Sequence, residues 1–177
     1  MPITVETIRA AEDDEALLQL LAADLQFLLP IEIQKDRDQF HQILRSLPRG
    51  LRAMAGTHEF DVNMTQEDLA MHIACQHEER DLRETVNGLL ELELAQIADL
   101  LEQAMKVMEP HLDEMRKQQV SVEDLQSWLE EAGAQEKIDP MNDIIWGFSA
   151  EAGPLGMHQS WVLYARKYPE RCVVAEA

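Results

Sequence analysis

The sequence predicts an all-α fold in which about seven to nine helices form a single bundle-like domain. Apolar residues recur at spacings of three and four along almost the whole chain, which is the period of an amphipathic helix. Alternating runs of β-branched residues are missing, so no strand is expected beyond a short extended piece at 172–174. The length of 177 residues suits one domain, and the 46% hydrophobic content indicates a globular chain.

The N-terminal part, residues 1–45, is expected to hold two helices. The first covers about 13–29 and ends at Pro30, because proline cannot continue a helix. The second covers about 34–45. The apolar faces of the two helices are formed by Leu17, Leu18, Leu21, Leu25, Leu28, Leu29, Phe40, Ile43 and Leu44.

Residues 46–150 form an acidic central region, in which the regular apolar stripe of 89–108 predicts the strongest helix, with Pro110 ending or kinking it. Breaks are expected at 46–48, at 63–65, where Thr65 and Asp68 resemble a capping box, at Asn87 and Gly88, at Gly133, and at Asp139 and Pro140. The other helices predicted between these breaks cover about 51–60, 65–76, 81–86, 122–131 and 140–148.

The C-terminal part, residues 151–177, is expected to hold a glycine-containing loop at 153–156, a helix over about 161–168 and a tail. Together with the two preceding parts it completes a single helical domain over residues 1–177.

The net charge is strongly negative, because 34 acidic residues face 15 basic ones and give −19. Such a charge repels nucleic acid and anionic membranes and attracts basic proteins. Residues 61–151 hold 22 acidic and six basic residues, so most of the excess lies there. The charge therefore predicts a basic protein partner and no direct nucleic-acid or membrane binding.

The cysteines and the chain's N-terminus indicate a cytoplasmic protein. Cys75 and Cys172 form no CxxC pair or disulfide framework. No apolar stretch approaches the length of about 18 residues that a membrane helix needs. Residues 1–6 lack the basic and apolar regions of a signal peptide.

Catalytic and metal-binding motifs are sparse. His72, Cys75 and Glu79 share one predicted helical face at i, i+3 and i+7 and are the candidate metal ligands. The alternative interpretation is a helix with a buried thiol and a half-buried histidine. No nucleophile elbow, phosphate-binding glycine loop or Glu-x-x-His pair is present. We therefore expect neither an enzyme nor a cofactor.

Residues 47–148 resemble a family of small all-helical bacterial proteins whose named member is a DNA-mimic protein. The resemblance rests on 46–52 (Ser-Leu-Pro-Arg-Gly-Leu-Arg) followed by Phe-Asp-Val-Asn at 60–63, on the Leu- and Ala-rich stretch 89–104, and on Ile-Asp-Pro-Met-Asn-Asp at 138–143. The chain lacks the two glycines that follow Asn63 in the family, and it carries Glu93 near a family glycine.

The resemblance implies a helical bundle, often dimeric, whose acidic surface occupies the DNA-binding face of a basic partner such as a transcription regulator. It also implies that Asn63 is a turn residue. Carboxylates three or four residues apart on a helix have Cβ atoms about 5–6 Å apart and could imitate phosphates. The candidate partner-binding acids are Asp81, Glu84, Glu91, Asp99, Glu102, Glu109, Asp113 and Glu114.

Two other functions stay open from the sequence. One is a different kind of specific interaction protein, such as an immunity protein, anchored by Trp128, Trp146 or Trp161. The other is a metal-dependent hydrolase that uses His72, Cys75 and Glu79. A plain solubilising role for the negative charge is the simplest alternative to mimicry.

Overall fold

The helices of the domain are defined by local capping signals and by the burial of their apolar faces. We describe a computed structural model, which covers residues 3–76, 79–118, 121 and 124–174. The helices are α1 Val5–Ala10, α2 Asp14–Leu28, α3 Ile31–Gln34, α4 Arg37–Ser46, α5 Arg49–Gln66, α6 Leu69–Cys75, α7 Glu79–Glu91, α8 Ala95–Gln118, α9 Leu125–Glu131, α10 Gln135–Glu151 and α11 Gln159–Lys167, with short 3-10 turns at Gly156–His158 and Pro169–Arg171.

This arrangement confirms the predicted all-α class. Nine of the eleven helices within the described residues have seven or more residues, and these residues contain no strand, including 172–174. None of the described helices is long and apolar enough to span a membrane.

The core consists of two hydrophobic clusters to which α5 contributes on both sides. One cluster lies among α5 to α10 and includes Phe60, Leu101 and Ile138, each fully buried. The other joins α1, α2, α4 and α11 to α5 and includes Leu17 and Leu51. Helix α5 is therefore the central element, and the charged groups on its neighbours are placed relative to it.

Helices α5 and α7 pack closely because glycine stands where they approach each other. A Cβ atom on Gly88 would lie 2.7 Å from the Ala53 carbonyl oxygen, and one on Gly56 would lie 2.9 Å from the Glu84 carbonyl oxygen. Glycine is needed at both positions for this approach. This close packing places side chains of α7 against α4 and α5.

The prediction of one continuous helix over 89–108 is wrong, because the chain breaks between α7 and α8. Glu93 has a φ of 65°, the Glu93 N–H bonds to the Leu90 carbonyl at 3.1 Å, and the Leu94 N–H bonds to the Leu89 carbonyl at 2.8 Å. This pattern is a Schellman cap in which a glutamate occupies the usual glycine position. Gly133, with a φ of 67°, ends α9 in the same way and as predicted.

Several other predicted breaks lie inside helices. Residues 63–65 belong to α5, so Asn63 is a helical residue and not a turn residue, and its Nδ2 lies 2.9 Å from His72 Nδ1. Asp68, rather than Thr65, caps α6 by accepting from the Met71 N–H at 2.8 Å. Asn87 and Gly88 lie within α7, and Pro110 lies within α8.

Helix α10 begins earlier than the predicted break at Asp139 and Pro140. It begins at Gln135 directly after the cap at Gly133, and the burial of Ala134 and Ile138 fixes its first turn against the core. Pro140 is exposed within the helix. Val122, the predicted start of the preceding helix, lies outside the described residues.

Candidate acidic interface

Asp81 is a buried carboxylate of α7 and does not belong to an exposed surface as predicted. Its Oδ1 atom accepts from Arg37 Nη2 and from His41 Nε2, the latter at 2.7 Å, and its exposed fraction is 5%. Burial raises the pKa of Asp81, but the bonds from Arg37 and His41 outweigh it, so that the pKa is lowered. The physical reason for this correction is that α4 covers this side of α7.

Glu84 is also buried and is paired with α5. Arg52 Nε donates to Oε2 at 2.9 Å and Arg52 Nη2 donates to Oε1 at 2.7 Å, which is a two-pronged guanidinium–carboxylate contact. This pairing raises the pKa of Arg52. Glu84 therefore joins two helices instead of facing a partner.

Glu91 lies at the end of α7, partly buried among residues from other elements. It accepts from the Tyr164 hydroxyl and lies 3.2 Å from Arg49 Nε and 3.6 Å from Arg171 Nη1. Burial, followed by the bond to Glu91, raises the pKa of Tyr164 above its ordinary value. The charge of Glu91 is thus balanced within the domain.

The remaining predicted acids lie on α8 at the surface, where lysines interrupt them. Asp99, Glu109, Asp113 and Glu114 are exposed and Glu102 is half-buried. Lys106 lies four residues after Glu102 and three before Glu109, and Lys117 lies 3.9 Å from Glu114. This helix presents mixed charge rather than an unbroken row of carboxylates.

Exposed acidity also lies on α9 and α10, whose acids were not among those selected from the sequence. Residues 124–151 contain seven acidic residues, all exposed, and a single basic residue, Lys137. None of these carboxylates forms an ion pair within the described part of the chain. We call this surface the α9–α10 face; its acids are Asp124, Glu130, Glu131, Glu136, Asp139, Asp143 and Glu151.

Exposed apolar side chains accompany these acids on α10. Glu136, Asp139, Asp143 and Trp146 follow one another at spacings of three and four, so they form one row along the helix. Trp146 is 42% exposed, and its indole N–H donates to the Met64 carbonyl at 2.9 Å, which fixes the ring. Ile144 is also exposed, at 44%, but it lies two residues from Trp146 and therefore on another side of the helix. Carboxylates and a fixed aromatic ring thus share one surface.

The other two tryptophans are less accessible. Trp161 is buried and donates to Thr57 Oγ1 at 3.1 Å. Trp128 is half-buried and donates to Gln118 Oε1 at 3.0 Å. Of the three tryptophans considered as anchors, Trp146 is therefore the most exposed.

The helical face proposed for metal binding does not form. His72 and Cys75 lie on α6, which ends at Cys75, whereas Glu79 begins α7. His72 is fully buried against Phe60, while Cys75 is exposed with its Sγ 3.4 Å from Met71 Sδ. The described residues contain no group of three or more histidine, cysteine, aspartate or glutamate side chains placed to hold a metal ion. The correction follows from the helix break at Gln76.

A buried asparagine that the sequence analysis did not select for this role connects α6 with α10. Asn142 is 1% exposed, and its Oδ1 accepts from the Leu69 backbone N–H at 3.0 Å. The bond satisfies a backbone donor in the first turn of α6. Because it joins α6 to α10, Asn142 helps to hold α10, and with it the α9–α10 face, in place.

Comparison of the chain with protein-family models, curated proteins and solved structures found no match. The resemblance of residues 47–148 to the DNA-mimic family stays a prediction.

Proposed function

We propose that the chain is an acidic protein-binding domain whose α9–α10 face receives a basic protein. The observation that carries this proposal is the row of exposed carboxylates at Glu136, Asp139 and Asp143, which no basic side chain neutralises within the described residues and which leads to Trp146. Unpaired surface charge speeds the encounter with an oppositely charged partner. The fixed indole supplies the apolar contact that charge alone does not provide.

The finer form of the proposal is mimicry of a nucleic-acid backbone toward a DNA-binding regulator. Neighbouring carboxylates of the α10 row are one helical turn apart, with Cβ atoms about 5–6 Å from each other, a separation broadly comparable with that of phosphates along a strand. The resemblance of residues 47–148 supports the same partner class. The exposed Trp146 favours a second form, a specific interaction protein of the immunity type.

Matched charge-removing variants test where the partner binds. One triple variant carries Glu136→Gln, Asp139→Asn and Asp143→Asn on α10, and its control carries Asp99→Asn, Glu109→Gln and Asp113→Asn on α8. Both remove the same charge from exposed positions. Binding of a helical peptide rich in lysine and leucine is measured by calorimetry.

We expect the α10 triple variant to bind the peptide at least tenfold more weakly, and the α8 control to change affinity by less than about threefold, because exposed charges at a distance are screened. Equal losses in the two variants would show a diffuse charge effect and contradict the proposed face. A larger loss in the α8 control would return the site to the residues selected from sequence.

Competition for a regulator separates the two finer forms. A basic helix-turn-helix repressor is first bound to its labelled duplex operator, and the protein is then added. Under mimicry the protein releases the operator, and the α10 triple variant does not. Release that is equal for the protein and the variant, or no release at all, contradicts mimicry while leaving the peptide-binding result standing.

A further inference from the structure

A large cavity opens beside the core cluster that joins α1, α2, α4 and α11 to α5. It lies among α2, α4, α5 and α7, and Trp161 of α11 forms part of its wall. Its volume is about 910 Å³, which lies within the range of about 300–1,000 Å³ typical of small-molecule sites. The walls are mostly apolar and include Leu18, Leu25, Leu29, Phe40, Leu44 and Trp161. The shape and lining suit an apolar small molecule.

Four carboxylates line this cavity: Glu32 and Glu59 are exposed to solvent, whereas Asp81 and Glu84 are buried and form a polar floor with balanced charges. Asp81 is paired with Arg37 and His41, and Glu84 is paired with Arg52. A ligand bearing an ammonium group would find these buried carboxylates already neutralised, and a carboxylate ligand would meet the same acids beside Arg37. The floor therefore favours a ligand without net charge.

Two buried atoms of the floor have no hydrogen-bond partner within the described residues, Arg37 Nε and His41 Nδ1. Both side chains line the cavity, and both bind the same oxygen, Oδ1 of Asp81. The Arg37 Nε atom can only donate. In the tautomer whose Nε2–H donates to the Asp81 carboxylate, His41 Nδ1 is a hydrogen-bond acceptor. Leaving such buried groups without a hydrogen-bond partner is unfavourable.

A hydroxyl group is the simplest ligand group that meets both atoms, since its oxygen accepts one bond and its hydrogen donates another. We propose that this cavity binds an uncharged apolar alcohol, whose hydroxyl accepts from Arg37 Nε and donates to His41 Nδ1 while its hydrocarbon part packs on the leucines, Phe40 and Trp161. This site lies apart from the α9–α10 face and does not depend on it.

Calorimetric titration with three molecules of equal chain length tests the ligand class. The probes are 1-octanol, octanoate and octylammonium, added to the full chain. We expect saturable binding of 1-octanol that is at least tenfold tighter than binding of either ion. Equal or tighter binding of an ion, or no saturable binding of the alcohol, overturns the proposal.

Cavity-filling variants test the location. Ala22 lines the cavity and is exposed, whereas Ala23 is exposed on α2 outside it, so Ala22→Phe and Ala23→Phe form a matched pair. Ala55→Met fills the cavity from α5 and serves as a second variant if the first unfolds. We expect the filling variants to lose octanol binding by at least tenfold and Ala23→Phe to retain it. Retained binding in a folded filling variant places the alcohol elsewhere and overturns the proposal.

A double comparison tests the hydroxyl contact itself. The ether 1-methoxyheptane keeps an acceptor oxygen but has no O–H donor, so the wild-type protein should bind it about fivefold more weakly than 1-octanol, the worth of one hydrogen bond. The variant His41→Gln can still donate to Asp81 but has no atom equivalent to Nδ1. We expect His41→Gln to bind the two probes equally. A preference for 1-octanol that survives in His41→Gln contradicts the contact.

Discussion

The carboxylates of α7 and those of α10 are the same chemical groups in two opposite environments. Asp81 and Glu84 are buried and paired with basic side chains of α4 and α5, whereas Glu136, Asp139 and Asp143 are exposed and form no ion pair within the described residues. The first group holds helices together, and the second is free to meet a partner. The difference shows that a count of acidic residues along the chain does not locate an acidic surface.

The largest expected effect is on stability, when a buried carboxylate and an exposed one are removed in separate variants. Asp81→Ala should lower the free energy of unfolding by about 4 kcal/mol, because it leaves the partly buried Arg37 guanidinium without its counter-charge and His41 Nε2 without its hydrogen-bond acceptor. Asp143→Ala should change it by no more than about 0.5 kcal/mol, as is usual at exposed positions. Urea unfolding at neutral pH measures both values. Similar values for the two variants would show that the buried ion pair stabilises the fold no more than an exposed carboxylate does.

A pH-dependent contribution from His72 extends the comparison to a buried base. Burial lowers the pKa of His72 to about 4 from an ordinary value of 6.5. Between these values the unfolded chain binds a proton that the folded chain excludes, so the contribution is fully present above pH 6.5 and is lost as the pH falls to about 4. At about 1.4 kcal/mol per pH unit, the loss reaches about 3 kcal/mol.

The measurement is urea unfolding of the wild-type protein and of His72→Phe at several pH values across this window. The substituted ring keeps its packing against Phe60 and does not titrate. We expect the free energy of unfolding of the wild-type protein, minus that of His72→Phe, to decrease as the pH falls from 6.5 to about 4. A difference that stays constant with pH would mean that the buried ring does not resist protonation.

Glu93 represents an intermediate case, a carboxylate that is exposed yet paired, and a smaller effect is expected there. It accepts from Lys167 Nζ at 2.7 Å and from the Tyr168 hydroxyl at 2.9 Å, and its φ is 65°. Glu93→Gly and Glu93→Ala both remove the pairing, but only glycine adopts this backbone without strain. We expect the glycine variant to melt about 3 °C above the alanine variant. Equal melting temperatures would show that the left-handed backbone carries no cost.

The parts of the fold that depend on local signals could be predicted from sequence. Helix α2 was predicted over 13–29 and spans Asp14–Leu28, because Asp13 caps it and Pro30 follows it. The break at Glu93 could not be predicted in this way. Neither glycine nor proline marks it, and the left-handed turn is combined with contacts to Lys167 and Tyr168, more than 70 residues away.

The candidate site was predicted less well, for the same physical reason. Asp81 and Glu84 look like solvent-facing acids in the sequence, and their partners Arg37 and Arg52 are 44 and 32 residues distant. The α9–α10 face did leave a signal, since Lys137 is the one base among the acids of 124–151. Because a helix was wrongly predicted to begin at Asp139 and Pro140, Glu136 was separated from Asp143 and Trp146. The row that these residues form on α10 was therefore not recognised.

Zero-length crosslinking identifies the carboxylates that contact a bound partner. A carbodiimide joins the amines of the bound lysine- and leucine-rich peptide to the carboxylates that contact it, and mass spectrometry then identifies those carboxylates. We expect crosslinks at Glu136, Asp139 and Asp143, which disappear in high salt, and none at Asp81 or Glu84. Crosslinks concentrated at Asp99, Glu102 and Glu109 on α8, or spread evenly over all exposed acids, would contradict this expectation.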